Sequence, residues 1–273
     1  MDISMDKSPE IVLSDPVSGR ATIKLQGAHV TTWQAASGKE ILFISEKANF
    51  QPGSAIRGGV PIVFPQFSNR GPLSKHGFAR TVEWTLSQEY PGKAVFSFES
   101  TDATLELWPH HFKADYTVSL EKGSLSLSLK LLNTDDQPFE FTAALHTYFR
   151  VDDIREVQIA GLNGVDYIDE AANSSDTFRQ IGNLSIDSEV DRIYVNPPGV
   201  IDLLSNHGTV GVFADGFCDA VVWNPGAQKA SQIPDLNLTD YRHFVCIESA
   251  VITRPVTLDK QGIWKGTQKL TVK

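Results

Sequence analysis

The stretch "ADYTVSLEKGSLSLSLKLLN", from Ala114 to Asn133, alternates apolar and polar residues on both sides of a central Lys122-Gly123 pair. In its second half, leucine occupies every second position from Leu125 to Leu131. A period of two sends successive side chains to opposite faces of a strand, and glycine suits the turn between two strands. The stretch therefore predicts an antiparallel hairpin with one apolar face.

The same alternation recurs along the chain, usually with Gly, Asn or Asp at the breaks. It appears in "ATIKLQGAHVTTW", "AVFSFES", "FEFTAALHTYFRV", "GTVGVFAD" and "GTQKLTVK". No window offers three or four turns of apolar residues at helical spacing with caps, so helices should be few, short and peripheral. We therefore expect an all-β fold, a large antiparallel β-sandwich. Since no repeat or long linker divides the chain, we expect one domain over residues 1–273.

The charge balance bears on possible partners. The chain has 24 Lys and Arg against 33 Asp and Glu, a formal net charge of -9. Nucleic acids and anionic membranes attract basic surfaces, so neither is expected as the main partner. The N-terminal "MDISMDKSPE" has no apolar core of a signal peptide, and no segment approaches the roughly 18 apolar residues of a membrane span. With Cys218 and Cys246 too far apart for a zinc motif or a disulfide framework, we expect a soluble, cytoplasmic protein.

One segment is basic although the chain is acidic. Residues 54–82, "SAIRGGVPIVFPQFSNRGPLSKHGFARTV", contain no aspartate or glutamate, and their chargeable groups are Arg57, Arg70, Lys75, His76 and Arg80. Such a cluster either receives an anion, for which phosphate and carboxylate are natural candidates, or forms a solvated basic face. The glycines after Arg57 suit a tight turn, and they also allow the backbone to approach a ligand closely.

Two further residues are candidates for acid–base chemistry. His146 lies on the more polar face of the strand-like "AALHTYFRV", and Glu248 interrupts the apolar "HFVCIESAV". A histidine and a carboxylate on facing strands can act as general acid and base. The alternatives are a hydrogen-bonded structural histidine and a salt-bridged glutamate. We find no G-x-S-x-G, P-loop, H-E-x-x-H or dinucleotide-binding spacing.

Several motifs together resemble the hexose-6-phosphate mutarotases, a branch of the aldose 1-epimerase superfamily. They are "IRGGVPIVFPQF", "HGFAR", "ALHTYFRV", "VDRIY", "VVWNP" and "FVCIESA", in the family's order and over nearly the whole chain. The resemblance implies a galactose mutarotase-like supersandwich with the sugar in an open cleft on one sheet. It also implies anomer interconversion of hexose 6-phosphates, chiefly glucose 6-phosphate, with no cofactor and no metal.

The resemblance assigns roles to six residues, and a seventh, Lys75, departs from the family's pattern. His146 matches the general acid and Glu248 the general base, so the mechanism requires His146 protonated and Glu248 ionised at the start. The residues matched to substrate binding are Arg57 and Arg80 for the phosphate, and His76 and Asp191 for the sugar. Lys75 stands where relatives often have an amide, and it adds a positive charge.

Two other functions remain open at this level. One is an aldose 1-epimerase acting on unphosphorylated hexoses, which would leave the Arg57 and Arg80 charges uncompensated. The other is a non-catalytic sugar-phosphate-binding protein, which would not require both His146 and Glu248. The expected partner is a small-molecule sugar phosphate, and the expected state is a monomer.

Overall fold

The protein is described here from a computed structural model, which covers residues 9–172, 176–206 and 208–273. The first eight residues, part of the segment expected to lack a signal peptide, lie outside the described residues. The strands are β1 (Glu10–Asp15), β2 (Gly19–Lys24), β3 (His29–Gln34), β4 (Ile62–Val63), β5 (Thr85–Tyr90), β6 (Lys93–Glu99), β7 (Phe112–Glu121), β8 (Ser124–Asn133), β9 (Phe139–Leu145), β10 (Tyr148–Arg150), β11 (Gln158–Ala160), β12 (Asp166–Asp169), β13 (Thr177–Arg179), β14 (Val190–Val195), β15 (Val200–Ser205), β16 (Gly208–Asp215), β17 (Asp219–Asn224), β18 (Phe244–Leu258) and β19 (Ile263–Val272).

The helices are short, as expected. They are α1 (Asp102–Leu107), α2 (Gly226–Ala230) and two 3₁₀ turns at Ile154–Glu156 and Asp240–Arg242. Within the described ranges, none of them is long and apolar enough to cross a membrane.

The strands of the described chain form three antiparallel sheets. The site sheet has the order β13-β12-β14-β17-β18-β9-β4, with β10 also paired to β18. The back sheet has the order β11-β15-β16-β19-β8-β7-β6-β5, and β1, β2 and β3 form a smaller third sheet. The all-β sandwich predicted from the alternation is therefore confirmed.

The predicted hairpin is β7 and β8 of the back sheet. Val118 pairs with Leu127 and Leu120 with Leu125, and the turn residues Lys122 and Gly123 have positive φ values of 51° and 75°. Positive φ at both turn positions matches the twist of the adjoining strands. The leucines of β8 predicted to share one face are all fully buried, so this face forms one wall of the core.

The opposite wall of the core is one face of the site sheet. Val245 and Ile247 of β18 and Val222 of β17 belong to the same buried cluster as the β8 leucines. Because side chains alternate along a strand, Cys246 and Glu248 of β18 lie on the other face of the site sheet. This second face carries the candidate site.

The two glycines after Arg57 serve chain packing. Gly58 and Gly59 have φ values of 111° and 60°, and a Cβ would strike the carbonyl oxygen of Phe43 or of Val30. The glycines therefore allow two backbone segments to pack closely, as expected for a tight turn. They do not serve to bring the backbone close to a ligand.

Candidate active site

His146 and Glu248 are brought together by strand pairing around β18. Glu248 lies opposite Val221 of β17 and is 1% exposed. His146 lies between β9 and β10, which both pair with β18, and its N–H donates to the Pro61 carbonyl at 3.0 Å. The resulting distance between His146 Nδ1 and Glu248 Oε1 is 3.3 Å. The structure therefore places the two predicted catalytic residues in direct contact.

Burial decides the charge state of this pair. It raises the pKa of Glu248 well above its usual value and lowers the pKa of His146 well below, with Arg80 and Arg57 lowering the latter further. Although 3.3 Å would suit an ion pair, a charge in a desolvated site is penalised on either partner. In the ligand-free site burial therefore favours a neutral Glu248 and a neutral His146. This neutral pair differs from the expected pair of imidazolium and carboxylate, although both pairs contain the same number of protons.

Two atoms of the pair have unused hydrogen-bonding capacity. Among the described residues, His146 Nδ1 and Glu248 Oε2 are buried and make no hydrogen bond. Buried polar atoms are normally satisfied, and exceptions often mark a binding site. The His146 ring is held in place by Tyr148, which stacks on it at 4.8 Å with an interplanar angle of 7°.

Arg57 is oriented by two partners outside the basic segment. Its Nε donates to Asp235 Oδ1 at 3.1 Å, and its Nη1 donates to the Tyr148 hydroxyl at 2.9 Å. Arg70 similarly pairs with Glu170. Acidic residues distant in sequence thus compensate part of the basic segment.

Arg80 and Lys75 make no direct ion pair within the described residues. Arg80 Nη2 donates to the Lys75 carbonyl at 2.8 Å, and its buried Nε has no hydrogen-bond partner in the described chain. No carboxylate of the described residues lies within 4.0 Å of either side chain's cationic group. A buried, unpartnered guanidinium N–H favours the anion-site alternative over the solvated basic face.

His76 is held as a neutral donor. The Ser68 N–H donates to His76 Nδ1 at 3.2 Å, and the His76 ring contacts that of His146 edge-on at 5.5 Å between centroids. Burial, together with the positive charge of Arg80, lowers the pKa of His76. Because Nδ1 accepts a hydrogen bond in this neutral ring, the proton lies on Nε2, which can donate.

Asp191 lies on β14 opposite Trp223 of β17. Burial raises the pKa of Asp191 to about 6, although Lys229 at 4.0 Å opposes this shift. A carboxylate with this pKa is ionised at neutral pH and can accept hydrogen bonds from hydroxyl groups.

One cavity of about 110 Å³ is lined by all seven residues predicted from the sequence. Its other lining residues are Phe67, Ser68, Glu170, Val221 and Trp223. Sequence reasoning missed Glu170 and Trp223, as well as Tyr148 and Asp235 behind Arg57. Tyr148 was detectable, because it alternates with His146 along the chain, whereas nothing local marked Trp223, Glu170 or Asp235.

A larger groove of about 790 Å³ lies on the outer face of the back sheet. Its lining is mostly Ser, Thr and Lys, and it contains no histidine. The smaller cavity is the candidate active site, because it alone of the two combines a buried acid–base pair with convergent cations.

The supersandwich and the relatives that share it define an enzyme of the mutarotase class. The chain belongs to the aldose 1-epimerase family, whose sequence profile matches residues 9–271. The family predicted from the sequence motifs is therefore confirmed.

Relatives are similar over most of their length. Proteins of Cenchrus ciliaris and Escherichia coli (strain K12) are each named "Putative glucose-6-phosphate 1-epimerase". The Cenchrus ciliaris protein is 38% identical, and the match covers 94% of this chain and 82% of the relative. The Escherichia coli protein is 32% identical, and the match covers 92% of this chain and 87% of the relative. The crystal structure of "a putative mutarotase (YeaD)" from Salmonella typhimurium has a TM-score of 0.86 at 30% identity, covering 96% of this chain and 90% of that chain.

Proposed function

We propose that this protein interconverts the α and β anomers of hexose 6-phosphates, chiefly glucose 6-phosphate. The observation that carries the proposal is the cavity that brings the His146–Glu248 pair together with Arg80 and Lys75, two cations without an ion-pair contact among the described residues. The names of the Cenchrus ciliaris and Escherichia coli relatives support the same substrate. A free hexose would leave these cations without a counter-ion, so the phosphorylated sugar is the better match.

The reaction is general acid–base ring opening. Glu248 takes the proton of the C1 hydroxyl while His146 protonates the ring oxygen, and the C1–O5 bond breaks to give the open aldehyde. After rotation about C1–C2, the ring closes on the other face with the two roles reversed. Positioned acid and base groups of this kind contribute roughly 10²- to 10⁴-fold.

The substrate's own phosphate would prepare the pair for this step. The positive charges of Arg80 and Arg57 help to lower the pKa of His146 in the ligand-free site. A phosphate bound by these arginines offsets those charges and so favours the protonated His146 that ring opening requires.

The remaining site residues bind the substrate. Arg57 and Arg80 would hold the phosphate with charge-assisted hydrogen bonds, and Lys75 would add a third positive charge. His76 would donate from Nε2 to a sugar oxygen, and Asp191 would accept from a sugar hydroxyl. The donor and acceptor characters follow from the Ser68 contact of His76 and from the pKa of Asp191, about 6.

Anomer exchange measured by NMR tests the function directly. Exchange of glucose 6-phosphate should be accelerated far more than exchange of free glucose. Glu248→Gln and His146→Ala should each remove most of kcat while glucose 6-phosphate still binds, because neither residue contacts the phosphate. Equal acceleration of the two sugars would disprove the phosphate assignment, and a near-normal kcat in either variant would remove that residue from the mechanism.

We also propose that the chain is a single domain that works as a monomer in the cytoplasm, without nucleic-acid partners. The core shared by the three sheets supports one domain. The net charge of -9 opposes binding to nucleic acid, and both cysteines are free thiols, as in reducing compartments. Sedimentation equilibrium should give the mass of one chain.

A further inference from the structure

Cys246 lies beside the acid–base pair but has no part in the proposed reaction. It precedes Glu248 by two residues on β18, so both side chains leave the same face of the site sheet. Cys246 pairs with Tyr148 of β10, next to the segment that carries His146. One ligand atom from each of His146, Cys246 and Glu248 lies within 4.8 Å of the other two.

Two of these three side chains, His146 and Glu248, are spaced as zinc ligands are. In a tetrahedral zinc site the nitrogen and oxygen ligands lie about 2.0–2.2 Å from the ion, hence about 3.3 Å from each other. The His146 Nδ1 to Glu248 Oε1 distance is 3.3 Å. The three residues are 7%, 0% and 1% exposed, and the described chain offers no hydrogen bond to His146 Nδ1 or Glu248 Oε2. Lone pairs that no protein group uses are thus available to an ion.

We propose that His146, Cys246 and Glu248 form an inhibitory site for Zn²⁺. One nitrogen, one sulfur and one oxygen ligand suit a borderline-soft ion better than Mg²⁺ or Ca²⁺, which prefer oxygen alone. The thiol and the Glu248 carboxyl release their protons to solvent as the ion binds, so thiolate and carboxylate balance its two charges. A water would complete the tetrahedron.

Zinc at this site blocks the proposed reaction. The ion binds the Glu248 carboxylate and the lone pair of the His146 ring, so Glu248 cannot accept the C1 proton and His146 cannot become the imidazolium that the reaction requires. This consequence depends on the proposed function, whereas coordination of the ion does not. The two parts can therefore be tested separately.

Coordination is tested with Co²⁺, which replaces Zn²⁺ and absorbs light. The wild-type protein titrated with Co²⁺ should develop a thiolate-to-cobalt charge-transfer band and the intense d–d bands of four-coordinate cobalt. Cys246→Ser should lose the charge-transfer band, and Cys218→Ser, which removes the other thiol, should retain it. Cys246→Ala provides a second variant, and far-UV circular dichroism checks that each variant is folded. No band in the wild type, or a band that survives in a folded Cys246 variant, would overturn the site.

Inhibition is tested by anomer exchange in the presence of Zn²⁺. Zinc should inhibit the wild type and Cys218→Ser, and a chelator should restore turnover. Cys246→Ser should need at least about tenfold more zinc, since even the loss of an outer-shell partner lowers metal affinity about 10- to 100-fold. Unchanged zinc sensitivity in Cys246→Ser would refute the inhibitory site. If the protein showed no mutarotation, the cobalt spectrum would still decide whether the site exists.

Discussion

At the scale of single residues, Tyr148 joins the two halves of the site. Its ring stacks on His146 at 4.8 Å, and its hydroxyl accepts a hydrogen bond from Arg57 at 2.9 Å. Burial raises the pKa of Tyr148, so the phenol stays neutral and can also donate. A shift of Arg57 toward a bound phosphate would therefore change the hydrogen bond to Tyr148, whose ring stacks on the proposed acid His146.

Removing Arg80 should weaken the binding of the phosphate. Arg80→Ala deletes a charge-assisted hydrogen bond worth about 1.5–3 kcal/mol, so KM for glucose 6-phosphate should rise about 10- to 150-fold. The slow exchange of free glucose should change much less. Arg179→Ala is the control, because Arg179 is 64% exposed and pairs with Asp166 away from the cavity. If Arg80→Ala bound glucose 6-phosphate as tightly as wild type by calorimetry, Arg80 would not hold the phosphate.

Asp191 should make stability depend on pH. Its pKa rises from 3.8 to about 6 on folding, so the native state binds the proton more tightly and its contribution to stability falls as pH rises through this interval. Asp191→Asn removes this dependence. Its stability relative to wild type should therefore improve by up to about 3 kcal/mol between pH 4 and pH 7 in urea unfolding.

A second aspartate provides a control for the sign. Hydrogen bonds from Arg179 lower the pKa of Asp166, so Asp166→Asn should lose stability relative to wild type as pH rises toward 3.8 and change little above it. If the stability of Asp191→Asn relative to wild type stayed constant or declined between about pH 4 and pH 7, the pKa of Asp191 would not be raised.

At the scale of the elements, β18 positions the proposed base and depends on a buried aspartate. The pairing of β18 with β9 is interrupted between Val251 and Val256. Beside this irregularity Asp219, 1% exposed, accepts hydrogen bonds from the N–H groups of Ile252 and Thr253 and from the Thr253 hydroxyl, each at 2.7 Å. Asp219 thus satisfies the backbone groups that the irregular pairing leaves free.

Asp219→Ala should destabilise the protein by roughly 2–4 kcal/mol, because it leaves buried N–H groups without a partner. Urea unfolding measures this loss. Asp215→Ala, an exposed position at the end of β16, should change stability by no more than about 0.5 kcal/mol. Similar losses in the two variants would mean that Asp219 does not support β18.

At the scale of the whole molecule, one core connects all three sheets. The same buried cluster contains Trp33 of β3, Leu127 of β8 and Ile247 of β18. No sheet can lose its packing without exposing apolar surface of the others, so cooperative unfolding is expected. Urea unfolding followed by tryptophan fluorescence and by far-UV circular dichroism should give coincident transitions. Two separate transitions would mean that the third sheet, or part of the sandwich, unfolds independently.

The fold was largely predictable from the sequence, because the alternation of side chains is a local property. The β7–β8 hairpin and its turn at Lys122-Gly123 follow from period two and the preference of glycine for positive φ. The same rule separates Glu248 from Val245 and Ile247, and it places His146 and Tyr148 on one face. The motifs that identify the family are local as well.

Only the tertiary structure decides which of these residues meet, because contact depends on strand order rather than on local pattern. Arg57 pairs with Asp235, 178 positions later, and Arg70 pairs with Glu170, 100 positions later, whereas Arg80 has no ion-pair contact among the described residues. The charge state of His146 and Glu248 is decided in the same way. Desolvation by everything packed around them favours their neutral forms, and no sequence pattern measures that burial.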